Sequence, residues 1–249
     1  MRRCVKPTVR PPFFGDFKCL GAICPVSCCT GFRFPLRRGE ETRLPRESWT
    51  EDERGLCFVA RPNGDCPFWT PERRCPFQHG ADQSALPGVC RVFPRIVTDY
   101  PDRTELCLDV LCPEVYRLIA GWEIGDLRVD GGVELADPQY LRRAEEMASY
   151  RTLELPGAEP AFADYLRRLG AYLLIVHYPI YADVPKAQGV FGPVRRFVEL
   201  MAARSREFAS LGADYFAFLC RTWRQYSPAY GFDIETDGCF ESLEEVRAK

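Results

Sequence analysis

Four thiols fall within eleven positions of the stretch Lys18-Cys19-Leu20-Gly21-Ala22-Ile23-Cys24-Pro25-Val26-Ser27-Cys28-Cys29-Thr30-Gly31. Thiolates are soft ligands, so this density points to zinc, Cu(I) or an iron–sulfur cluster. Further cysteines follow at Cys57, Cys66, Cys75, Cys90, Cys107 and Cys112. Two of them open similar units, Cys66-Pro67-Phe68 and Cys75-Pro76-Phe77. Each unit offers a thiol at a turn followed by an aromatic ring that would shield a centre from water. Structural zinc sites use closely spaced Cys pairs. The Cys19/Cys24 and Cys24/Cys28 spacings are compatible with that pattern, so zinc stays open beside an iron–sulfur cluster. The densest part of the motif places the greatest sensitivity at Cys19 and Cys24. His79 follows Cys75 by four positions and is a candidate ligand as well as a loop histidine. His177 lies beside an apolar helical pattern and reads as a core or pocket histidine. Cys4, Cys107, Cys220 and Cys239 read as packed structural thiols, since free cysteine is among the most buried residue types.

The chain has 13 cysteines, an odd number, so they cannot all pair within it. Residues 1–14 are basic but lack the apolar run of a secretory leader, and no stretch of about 18 apolar residues could span a membrane. The sequence therefore predicts a cytoplasmic chain with reduced thiols, which favours metal over disulfides. With 33 Lys+Arg against 35 Asp+Glu, net charge −2, there is no basic field to hold nucleic acid. Glycine-rich nucleotide loops, the nucleophile elbow of hydrolases and the His-Glu-x-x-His zinc helix are all missing.

The elements that must position these thiols are short in the first half. Pro11-Pro12 marks an extended lead-in, and Gly21, Pro25 and Gly31 allow tight turns around the first four cysteines. Residues 37–55 are highly charged and read as a solvated helix or loop. Residues 56–60 predict a short strand. Residues 95–100 and 105–111 predict a β-hairpin through Pro101-Asp102-Arg103. Cys112-Pro113-Glu114 opens a helix with proline at its first position, closed near Gly121. Asp137-Pro138 starts a helix whose apolar face is Tyr140, Leu141, Ala144, Met147 and Ala148. Phe162, Tyr165, Leu166, Leu169, Tyr172, Leu173 and Val176 give the strongest helical period, stopped at Pro179. Pro193 opens the next helix, with Val194, Phe197, Val198, Met201 and Phe208 inward, and residues 213–226 form the fourth helix beyond Gly132. Residues 232–249 are an acidic, weakly patterned tail. The expected architecture is α+β and mostly helical: a Cys-rich metal-binding region at 1–132 with a small β-hairpin, then a helical bundle at 133–249.

The ordered motifs Phe17-Lys18-Cys19-x4-Cys24-Pro25-x2-Cys28-Cys29-x-Gly31, Cys66-Pro67-Phe68, Cys75, Cys90-x2-Phe93-Pro94-Arg95 and Cys112-Pro113-Glu114 resemble the flagellin lysine N-methylase family. That family lies within the broader zinc- or iron-chelating cysteine-cluster proteins. The resemblance covers roughly residues 13–121. It implies a 4Fe-4S cluster, S-adenosylmethionine as methyl donor, and a lysine amine of a flagellin-like surface protein as acceptor. By residue it points to Cys19, Cys24, Cys28, Cys29, Cys66, Cys75, Cys90 and Cys112 as metal ligands, more than one cluster's four. Three readings follow: a methyltransferase acting on a protein lysine, a metal-dependent enzyme acting on a small-molecule amine, and a non-catalytic zinc- or iron-binding module. No pattern selects a catalytic base, and Glu114 and His177 are the candidates.

Overall fold

A computed structural model describes residues 6–30, 34–79, 86–181, 188–208, 216 and 219–220. Helices and small sheets give an α+β protein that divides into two compact units, residues 19–94 and residues 1–18 with 95–249. The sequence reading set its single boundary at 132/133.

In the larger unit four strands form one sheet. β4 (Arg95–Asp99) and β5 (Thr104–Leu108) form the expected hairpin, with Val97 opposite Leu106. β1 (Thr8–Arg10) pairs parallel to β5, and β6 (Arg128–Val129) pairs antiparallel to β1. α3 (Pro113–Ile119) begins at the Cys112 cap with proline at its first turn, where a missing N–H costs nothing. α4 (Pro138–Ser149) is capped by Asp137, whose carboxylate accepts from the amides of Gln139 and Tyr140.

α5 (Pro160–Tyr181) carries the core. Tyr165, Leu166, Leu169, Tyr172, Leu173 and Val176 are all buried on it, as the period predicts. The Tyr172 hydroxyl accepts from the Leu108 amide at 2.9 Å and donates to the Leu108 carbonyl at 3.0 Å. A helix side chain thus satisfies both backbone groups of one strand residue in the dry interior. Phe13, Trp122 and Tyr172 pack ring against ring around that contact, with centroids 5.5 to 6.4 Å apart. Gly170 lets α5 approach its neighbours: a Cβ there would stand 2.2 Å from the Tyr150 ring and 2.9 Å from Val198.

Three expectations are corrected. α5 does not stop at Pro179 but runs two residues further, to Tyr181. α6 (Gln188–Ala203) begins before Pro193 and includes it. Proline's fixed φ suits a helix, so a single residue removes one backbone bond without forcing the turn to end. On α4 the predicted apolar face is incomplete. Leu141 is exposed, whereas Arg143 is 1% exposed. The four-residue α7 (Ser205–Phe208) follows. The helix expected at 213–226 falls largely outside the described residues, as do the tail, Cys4 and Cys239.

Arg143 is buried because it belongs to a charge network. Glu105 Oε1 accepts from Arg103 Nε at 2.5 Å and from Arg143 Nη2 at 2.7 Å. Arg103 also donates to Asp102 and Asp137, and its guanidinium lies between the rings of Tyr100 and Tyr140 at 4.1 and 5.0 Å. The Arg103 hydrogen bond holds the Asp137 carboxyl below its ordinary value, outweighing partial burial, with help from the two capped amides. A carboxyl depressed in the fold contributes stability above its unfolded pKa of about 3.9 and loses it as pH falls through the lower folded value. Asp137→Asn keeps the cap but not the charge. It should cost about 1–2 kcal/mol at pH 7 and flatten the acid limb of a denaturation series taken from pH 7 to 3. An unchanged acid limb would contradict this account.

Candidate thiol centre

The smaller unit, residues 19–94, carries seven of the eight candidate ligands. Its scaffold is a two-stranded ribbon, β2 (Trp49–Asp52) and β3 (Gly55–Phe58), joined by a turn through Glu53-Arg54. Residues 34–36 lie against β3: the Leu36 amide donates to Leu56 O, and the Phe58 amide to Phe34 O. The apolar core is Leu36, Leu44, Leu56, Phe58 and Cys66, with Cys29, Phe34, Trp49, Phe68, Trp69 and Phe77 packed against it. The two Cys-Pro-Phe units converge there. Phe68 and Phe77 meet edge to face at 4.7 Å, and Phe58 meets Phe68 at 5.4 Å. The aromatic wall therefore borders Cys66 and Cys29 directly.

Short polar contacts tie the thiol-bearing loops together. The Cys66 amide donates to the Cys29 carbonyl at 2.7 Å, and Thr30 bridges to Asp65. Arg73, at φ 58°, donates to the Cys24 carbonyl at 2.5 Å. A non-glycine residue in this left-handed region is strained, and here it aims a guanidinium across 49 residues of sequence. Gln78, on α1 (Pro76–His79), donates to Cys19 Sγ at 3.6 Å.

Three thiols of this unit, Cys29, Cys66 and Cys90, feel other thiols nearby. The Cys28 side chain hydrogen-bonds to Cys29 and, with burial and the charge of Cys66, pushes the Cys29 thiol far above its ordinary value. Burial raises Cys66. The backbone amides of Phe68 and Trp69 pull it back, and Cys75 raises it further. Burial, then Cys66, Cys28, Cys75 and Glu40, push Cys90 up to about 12. Bringing thiols this close opposes their ionisation until a cation offsets the charge. The structure thus groups Cys28, Cys29, Cys66, Cys75 and Cys90.

The remaining candidates sit differently. Cys19 is exposed, accepting from Gly21 N and Gln78. The Cys24 thiol donates to Val26 O. Cys112 belongs to the larger unit as the α3 cap. Glu114 is buried, and Arg117 engages it through Nε at 2.8 Å and Nη2 at 2.5 Å. The side chains of His79 and His177 lie outside the described residues. Cys107 is buried in β5, and the Cys220 thiol donates to the carbonyls of Val110 and Leu111.

Among the described residues no three Cys, His, Asp or Glu side chains stand close enough to chelate one metal ion as they are. The donor chemistry of the five-thiol group nevertheless fits a soft-metal centre: thiols only, partly buried, with backbone N–H groups directed at Cys66 sulfur. Glu40 was missed by sequence reasoning. It lies in the charged stretch read as solvated, yet its carboxylate accepts from the Gly88 amide on the Cys90 segment.

The chain is 25% identical over 124 aligned residues to the flagellar biosynthetic protein FliU of Salmonella muenchen, covering 42% of this chain and 72% of that protein. It is 25% identical, over the same share of its own length, to the lysine-N-methylases of Salmonella choleraesuis and Salmonella typhimurium. The match spans only 30% of each lysine-N-methylase. No family model matches, and no solved structure matches. These similarities support a distant relationship to flagellin-methylase-like proteins. No helix among the described residues is long and apolar enough to cross a membrane.

Proposed function

We propose that this chain is a thiol-ligated metal protein of the lysine N-methylase type that transfers a methyl group from S-adenosylmethionine to an amine. The carrying observation is the set of soft donors gathered near Cys90, a half-buried thiol with Cys28, Cys66 and Cys75 in its surroundings. Cys28, Cys66, Cys75 and Cys90 would hold the metal group, with Cys29 beside them. An iron–sulfur cluster, when bound, supplies one-electron chemistry and a large local charge. Phe68 and Phe77 exclude water from the Cys66 side, and the amides of Phe68 and Trp69 stabilise charge on its sulfur.

The names of the distant relatives support a protein lysine as the acceptor, and a small-molecule amine is the alternative. A lysine amine has a pKa of about 10.4, so transfer needs a site that removes its proton. The engagement of Glu114 by Arg117 favours a second reading, a non-catalytic metal-binding module, because it occupies the candidate base. Protein purified anaerobically should be brown and hold iron and acid-labile sulfide in comparable amounts. Calorimetry on that loaded protein should show S-adenosylmethionine binding. Stoichiometric zinc without sulfide would overturn the cluster. Loaded protein with no S-adenosylmethionine binding would leave the non-catalytic reading.

A further inference from the structure

We infer that Glu40 is a positioning residue for the thiol centre, pinning the segment that carries Cys90. This rests on the reading that Cys28, Cys66, Cys75 and Cys90 hold a metal group. Cys90 lies on α2 (Gly88–Val92), a helix too short to hold its own place. What fixes its start is a side chain 48 residues away in sequence. Glu40 Oε1 accepts from the Gly88 amide at 2.8 Å. Its other oxygen, Oε2, accepts from the Arg37 amide at 2.9 Å, so one carboxylate staples two separate backbone segments. Arg91 Nη2 stands 3.8 Å from Oε1, adding a third, weaker tie on the same helix. The carboxylate is only 18% exposed.

Residue 88 shows how close the contact is. A Cβ there would meet Glu40 Oε1 at 3.1 Å and the Arg37 guanidinium carbon at 3.6 Å. Glycine thus admits the carboxylate to the helix start. Of the four proposed ligands, only Cys90 is held this way. Cys66 is fixed by the hydrogen bond from its amide to the Cys29 carbonyl and by the aromatic core, and the Cys28 side chain hydrogen-bonds to Cys29. Loss of Glu40 should therefore release one thiol out of four, not the whole unit.

The test uses the full chain, loaded anaerobically with iron and sulfide and, in parallel, with zinc alone. Each sample and its metal-free control are alkylated, and each cysteine is read by peptide mass spectrometry. In the wild-type chain Cys28, Cys66, Cys75 and Cys90 should all be protected by metal. In Glu40→Gln the amide can accept one backbone N–H but not both, and the charge is gone. Cys90 should then be alkylated at least tenfold faster in the loaded protein, while Cys28, Cys66 and Cys75 stay protected. Glu40→Asp, one methylene shorter, should not restore protection, which separates reach from charge. If Glu40→Gln proves insoluble, Gly88→Ala decides, because it displaces the same carboxylate and should expose Cys90 selectively by a smaller factor. Protection of all four thiols in these variants, or equal loss at all four, would overturn the positioning role. A wild-type chain whose four thiols gain no protection from either metal would instead overturn the underlying metal reading.

Discussion

Cys66→Ser should remove most of the bound metal from this chain, and no other single thiol change should remove more. Cys66 is the shared neighbour of the group: it acts on Cys29 and Cys90 and is acted on by Cys75. The Trp69 amide donates to the Cys66 carbonyl, and the Cys66 amide donates to the Cys29 carbonyl and so fixes the Cys28-Cys29 loop. A serine oxygen is a hard, weakly acidic donor and does not replace a thiolate on a soft metal. Removing a group that merely orients a ligand costs ten- to a hundredfold in affinity, so removing the ligand should cost at least about a hundredfold. The hydroxyl would also sit against the apolar core, costing about 1–3 kcal/mol. Cys220→Ser makes the control. That thiol is fully buried in the other unit, so it should lower stability by a similar amount and leave iron and sulfide content unchanged. Metal per chain and thermal melts on both variants check this. Full metal in Cys66→Ser together with loss in Cys220→Ser would move the centre out of residues 19–94.

How much of this could be read from the sequence follows from the range of the forces involved. The hairpin, the Pro113 helix start and the long α5 stripe rest on local rules, and all three are present. β1 and β6 were not legible, because strands of three and two residues have no period to detect. The Cys-Pro-Phe echo announced an aromatic wall, and Phe68 and Phe77 do pack together. Spacing alone put the weight of the thiol motif on Cys19 and Cys24. In the structure Cys90 has Cys28, Cys66 and Cys75 in its surroundings, brought near by contacts distant in sequence. Glu40, Arg73 and Arg143 escaped for the same reason. Each is a charged residue in a charged stretch, and only its distant partner distinguishes it from a solvated one.

Glu105→Leu should be the most destabilising single substitution in the sheet-and-helix unit, at about 3–5 kcal/mol. The leucine suits a buried strand position and roughly fills the volume, so the loss would not come from packing. It would come from two guanidiniums, Arg103 and Arg143, left in the interior without the carboxylate they share. Asp102 and Asp137 still reach Arg103 through Nη1. Burial already works against both charges, and Glu105 contributes to holding each of them ionised. The network also links two elements: Glu105 lies on β5, and Arg143 on α4, 38 residues away. Replacing Arg143 as well distinguishes an unpaired charge from a lost shape. In Glu105→Leu/Arg143→Met the stranded guanidinium is gone and an apolar chain of similar length remains. Chemical denaturation should show the double variant recovering about 2 kcal/mol or more over the single one. If the two losses simply add, the interior does not depend on the pairing of these charges, and β5 is held to α4 by packing alone.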